Sequence, residues 1–142
     1  MKRIVLDTNC LLMSLPRRSP YHAVWQSIGS GETTLCVSNE IIEEYMEILT
    51  QKTNHAVACN VVEALLNLKN VVQVTPYYRL HLITADEDDN KFVDCAFAAG
   101  ARCIVSNDAH FKELARVQFP RIPVVALRDF LRVIAPPAPG IN

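Results

Sequence analysis

The stretch Ile4–Asn9, IVLDTN, decides how this chain is read. Ile4, Val5 and Leu6 form an apolar run of the length and kind that suits a fully buried strand. The run stops at Asp7, Thr8 and Asn9, three small polar residues that favour turns and helix caps. In an open parallel sheet, ligands bind beyond the carboxyl ends of the strands, so Asp7 stands where chemistry is usually found. A simple capping role for Asp7 satisfies the same local pattern. Which role holds depends on whether other acids arrive at the same edge.

Working outward, a short helical or turn segment over Cys10–Leu15 leads into a loop, Pro16-Arg17-Arg18-Ser19-Pro20. The pattern then predicts a helix over Tyr21–Ile28, a strand over Thr33–Val37 and helices over Asn39–Thr50 and His55–Leu68. A strand over Val71–Thr75 follows, and His81–Ala85 carries no clear period. An acidic cluster, Asp86–Asn90, feeds a helix over Lys91–Ala99 that Gly100 terminates. Cys103–Ser106 reads as a strand, Ala109–Val117 as a helix and Val124–Leu127 as a fifth strand, with Asp129 opening a last short helix. Strands alternating with helices predict an α/β fold on a mainly parallel sheet. Residues 1–134 form one domain in this reading. Residues 135–142, APPAPGIN, are too rich in proline and small residues to pack and are expected to fray.

Composition limits the choice of function. The chain has 142 residues, half of them hydrophobic and a fifth charged, with a formal net charge of −1. A real core is therefore available, and no overall positive field advertises nucleic acid or an anionic membrane. The five cysteines, Cys10, Cys36, Cys59, Cys95 and Cys103, are an odd number without a close pair. That argues against a disulfide framework or a zinc cluster and for a reducing cytoplasm. No apolar run approaches the roughly 18 residues that span a bilayer, and the few apolar residues before Asp7 make no signal peptide.

The acids carry the chemistry. On the predicted Asn39–Thr50 helix, Glu40, Glu43 and Glu47 oppose the apolar face, whereas Glu44 falls beside Ile48 at its border. The Lys91–Ala99 helix is apolar nearly all round, and Asp94 is its one charge after Lys91. A buried carboxylate must be paired or coordinate a metal. Asp89 could cap that helix, and Asp86, Glu87 and Asp88 favour its positive end, yet four acids exceed what capping requires. Asp108 follows the fourth strand as Asp7 follows the first. Acids gathered at one edge need counter-charge. Hard Mg²⁺ or Mn²⁺ supplies it, prefers oxygen ligands and leaves room for phosphate oxygens. The implied chemistry is phosphodiester hydrolysis without a protein nucleophile. His22, His55 and His81 read as solvated, and His110, two residues after Asp108, reads as a helix-surface histidine with a place near the site as the alternative. Arg17 and Arg18 are candidate phosphate contacts. Lys91 is either an ion-pair partner or a substrate contact.

Three segments, IVLDTN, SNEIIEEYMEIL and DEDDNKFVDCAFAAGARCIVSND, together resemble the PIN domain, specifically the bacterial VapC-like group of toxin–antitoxin ribonucleases. The resemblance runs from Ile4 to about Leu131. It implies a three-layer α/β/α sandwich with a parallel sheet of about five strands and Mg²⁺- or Mn²⁺-dependent cleavage of RNA. It further implies a cognate antitoxin and a homodimer. By position, Asp7 matches the first family acid, Glu44 the second and Asp108 the acid of the S/T-x-D element. Asp89, seven residues before Ala96, matches the third, and Asp94 matches an acidic position of this subgroup. All five are expected to bind metal directly or through water, with Thr8, Asn9 and Ser106 as supporting polar groups. Two rival readings share part of this pattern. A phosphatase of the haloacid dehalogenase type also begins with an Asp after its first strand, but it needs a second two residues on, where this chain has Asn9. A receiver-like or RNA-binding module would hold Mg²⁺ without turnover, and the expected lysine after the fourth strand is missing.

Overall fold

The computed structural model describes residues 2–135; the expected frayed tail lies beyond them save for Ala135. Five strands form one sheet: β1 Lys2–Leu6, β2 Thr33–Val37, β3 Val71–Gln73, β4 Cys103–Val105 and β5 Val124–Val125. All neighbours are parallel, in the order β3-β2-β1-β4-β5. The α-helices are α1 Thr8–Ser14, α2 His22–Gly29, α3 Asn39–Lys52, α4 His55–Leu66, α5 Asn90–Ala99 and α6 Leu127–Ile134.

Ile4, Val5 and Leu6 are all buried, as are all five residues of β2 and all three of β4. Successive strand residues point to opposite faces, so burial of every one requires helices on both sides of the sheet. This is the α/β/α sandwich that the sequence predicts. Helix α5 lies over β1, β2 and β4 and packs against α3, while α2 packs against α1 and α6. The strand order runs one way from β1 through β2 to β3 and then resumes on the other side of β1 with β4. The reversal opens a crevice beyond the carboxyl ends of β1 and β4. Because Leu6 is registered with Val105, the residues that follow, Asp7 and Ser106, meet at its mouth.

Local signals account for most boundaries. Ser38 and Asn54 cap α3 and α4 by accepting from the amides of Ile41 and Val57. Gly100, at φ 61°, closes α5 in a left-handed conformation. Its amide bonds Phe97 O at 3.2 Å and that of Ala101 bonds Ala96 O at 2.9 Å, the paired pattern for which glycine is favoured. Tyr45, wholly buried on α3, donates its hydroxyl to the Leu6 carbonyl and ties that helix to the end of β1.

Three expectations need correction. Ala109–Arg116 is a run of 3₁₀ turns rather than an α-helix. The fifth strand ends at Val125, and α6 begins at Leu127 rather than Asp129 because the Asn107 side chain captures the Leu127 amide at 2.9 Å. The segment between β3 and residue 86 has no regular structure; side chains from elsewhere hold its backbone. Asp94 accepts from the Leu80 amide at 3.0 Å, and Asn90 clasps both polar groups of Ile83 at 2.9 Å. Glu113 receives the amides of Thr84 and Ala85. Satisfying these backbone groups from distant side chains explains why the local sequence shows no period.

Candidate active site

Asp7 leaves β1 with its amide bonded to the Val105 carbonyl at 3.0 Å. Its side chain makes no capping bond to α1, so the capping role does not account for it. Instead, Asp7 Oδ2 accepts the Ser106 hydroxyl at 2.8 Å. Ser106 Oγ in turn accepts the Asp108 amide at 3.0 Å, so one hydroxyl joins the ends of β1 and β4. Asp108 does cap the following 3₁₀ segment, accepting from the His110 amide at 2.9 Å. A carboxylate has lone pairs to spare, so capping leaves Asp108 available to a second partner.

Glu44 arrives from α3. As its place on the helix wheel predicts, it sits at the edge of the core, its side chain 21% exposed. Thr8 donates its hydroxyl to Glu44 Oε2, and Lys91 Nζ lies 2.7 Å from Oε1. Thr8 therefore holds the second acid, as Ser106 holds the first. Lys91 is Glu44's ion-pair partner at the rim. Burial alone would lower the Lys91 ammonium, but the hydrogen bond and charge of Glu44 leave it raised.

Asp89 is buried at the entry to α5 yet makes no capping bond there. Its Oδ2 lies 3.1 Å from His110 Nδ1, which is also 3.3 Å from Asp108 Oδ1 and 4.0 Å from Asp86 Oδ2. Polar atoms of Asp86, Asp89 and His110 lie within 4.8 Å of one another. His110 is thus no plain surface histidine. It stands among three acids, and its hydrogen bond with Asp89, helped by the charges of Asp108 and Asp89, raises its basicity. Two residues past Asp108 in an SNDAH turn, its position was the available sign.

The electrostatics follow from this crowding. Burial pushes Asp7 up; the Ser106 hydrogen bond opposes the rise, and the charges of Glu44 and Asp108 add to it. Burial likewise pushes Asp89 up to about 6, opposed by His110 and reinforced by Asp108, Asp86 and Asp7. Asp7 therefore senses the charges of Glu44 and Asp108, and Asp89 those of Asp108, Asp86 and Asp7. The set is rich in carboxylate oxygens, with Asp7 and Asp89 buried and Glu44 and Asp108 half-buried, a chemistry that could hold a hard divalent cation. Cys10 lies close by, but burial and then the Asp7 charge push its thiol up to about 12, so it is no nucleophile.

The remaining expected residues are placed differently. Asp94 is 3% exposed. It feels first its own burial, then the Leu80 amide and the charges of Arg79, His81 and Glu40. It lines a separate small cavity with Arg79 and His81. Asn9 is exposed in the first turn of α1. Arg17 and Arg18 are exposed and, among the described residues, pair with no carboxylate. Among the same residues no helix is long and apolar enough to cross a membrane.

Comparison with solved structures finds the same fold at low sequence identity. One match is the crystal structure of VapBC2 from Rickettsia felis bound to a DNA fragment from their promoter. It has 15% identity and a TM-score of 0.61 over 87% of this chain and 98% of that one. Another is DNA-bound VapBC from Salmonella typhimurium, at 17% identity and a TM-score of 0.56 over 89% of this chain and 99% of that one. Comparison with curated proteins finds no match. The sequence profile described as PIN domain matches residues 3–110, a span that contains every acid gathered at the carboxyl edge of the sheet; the chain belongs to the PIN domain family.

Proposed function

We propose that the chain is a divalent-metal-dependent endoribonuclease that hydrolyses RNA phosphodiester bonds in the cytoplasm. In this reading it is the toxin of a toxin–antitoxin pair and forms a homodimer. One observation carries the catalytic part. Acids from four separate segments come within reach of one another's charge at the carboxyl edge of the sheet. Burial together with the charges of Glu44 and Asp108 holds Asp7 above the usual carboxylate range, and burial with those of Asp108, Asp86 and Asp7 does the same for Asp89.

Asp7, Glu44, Asp89 and Asp108 would hold Mg²⁺ or Mn²⁺, with Asp86 and His110 beside Asp89. When bound, such an ion supplies counter-charge, lowers the pKa of an attacking water and shields the leaving oxygen. The protein's own groups orient the acids. Ser106 holds the Asp7 carboxylate, Thr8 holds Glu44, and His110 spans Asp89 and Asp108. Such supporting groups set ligand direction and basicity. Lys91, at the rim, balances Glu44 and is a candidate phosphate contact in this reading. Arg17 and Arg18 are further candidate RNA contacts. Asp94 we assign to the strap between β3 and α5, because its hydrogen bond goes to Leu80. An antitoxin partner rests on the likeness to VapBC structures together with the family.

The test is cleavage of a labelled RNA by the wild-type protein and by Asp7→Asn, each with Mn²⁺ and with EDTA. Wild-type cleavage with Mn²⁺ alone is expected. Undiminished cleavage in Asp7→Asn, or in EDTA, would overturn the mechanism.

A further inference from the structure

The acids explain where a phosphodiester could be cut but not how an RNA strand would be held by a chain with a net charge of −1. A groove of about 760 Å³ runs from the acid crevice between the 3₁₀ segment and the chain leading into β5. Its near end is Ser106, Asn107 and Asp108, the same residues that close the crevice. Phe111, Leu114, Ile122 and Val124 give it an apolar lining.

Past Asp108 the charged side chains along it are of one sign. Lys112 and Arg121 both line the groove and, among the described residues, have no carboxylate partner, unlike Lys91 and Arg79. Asn107 spends its side-chain oxygen on the Leu127 amide, which leaves its NH₂ as a donor. Past Asp108 the groove therefore offers donors and positive charge above an apolar lining. A divalent cation would find no ligands there, and a purely apolar segment would strand two desolvated cations. A strand of alternating phosphates and flat bases satisfies both features: phosphates meet the cations and a base meets the apolar surface.

We infer that this groove seats the single-stranded RNA next to the scissile bond, with Lys112 and Arg121 as phosphate contacts. The inference rests on the ribonuclease reading and deepens it by locating the substrate path. Lys112 and Arg121 are exposed, so their removal leaves the fold intact.

The experiment measures binding apart from cleavage. Fluorescence anisotropy follows a labelled single-stranded RNA on Asp7→Asn protein with Mg²⁺, from about 50 to about 200 mM salt. The same protein carrying Lys112→Ala and Arg121→Ala is compared with it. Loss of two phosphate contacts lowers the slope of log affinity against log salt by about 1.4, since a single strand loses about 0.7 per contact. At about 0.1 M salt that slope corresponds to roughly 25-fold weaker binding. A control with Lys69→Ala and Arg102→Ala, at the starts of β3 and β4 on the opposite edge, removes the same charge and should bind like its parent. Unchanged affinity and slope in the groove variant would overturn the inference, and an equal loss in the control would do so as well. Groove-dependent binding in a protein whose wild type cuts no RNA would uphold the groove and reject the nuclease.

Discussion

Replacing Asp89 by Asn should stabilise the metal-free protein while weakening its response to metal. The Asp89 carboxyl is buried beside Asp108, Asp86 and Asp7, which moves it from 3.8 to about 6. Between those values the folded state binds more protons than the unfolded one, so stability falls as pH rises from about 4 to about 6. The full displacement corresponds to about 3 kcal/mol of destabilisation at neutral pH. Asparagine keeps an acceptor for His110 but removes the charge, so a gain of about 1–3 kcal/mol at pH 7.5 is expected, shrinking below about pH 5. His110 adds a slope of the same sign. Its folded-state basicity is raised by Asp89, so its stabilisation is complete below its ordinary value and is lost as pH rises through the raised one. Urea denaturation in EDTA at pH 4.5 and 7.5 reads the gain, and repeating it with Mn²⁺ reads the metal response. Only the wild type should be strongly stabilised by the ion. A variant no more stable than wild type at pH 7.5 in EDTA would refute the claim that this acid is held against a burial cost.

Other perturbations test single contacts. Ser106→Ala removes the hydroxyl that orients Asp7 and should cost about 10- to 100-fold in Mn²⁺ affinity or cleavage with little change in fold; calorimetric titration checks it. Tyr45→Phe leaves the buried Leu6 carbonyl without its donor, for an expected loss of about 1–3 kcal/mol in urea denaturation. Asp94→Ala frees the Leu80 amide and should speed its hydrogen exchange while leaving Mn²⁺ affinity intact, and Asp94→Asn should restore protection. Loss of Mn²⁺ binding in Asp94→Asn with Leu80 still protected would make this acid a ligand instead.

Asp7, Asp108 and Glu44 were legible because each carries a local mark: an acid ending an apolar strand, or one misplaced on a helix wheel. Asp94 was legible as a buried acid, but its bond to the Leu80 amide was not. Its partner, Leu80, lies in the irregular segment where no period exists, so nothing local pointed to a backbone amide. His110 misled for a related reason. A histidine two residues beyond a cap sits on a surface turn, and only the approach of Asp89 from another segment brings it among the acids.

The sequence by itself determined the alternation of strands and helices, the burial of β1 and the appearance of acids at strand ends, because these follow from side-chain period and from the local demands of caps and turns. Only the tertiary structure decided which acids meet, that Lys91 neutralises Glu44, and that Lys112 and Arg121 border a groove leading to Asp108. Those pairings join residues tens of positions apart. They are set by the parallel register of β1 and β4 and by the packing of α3 and α5, which no local pattern encodes.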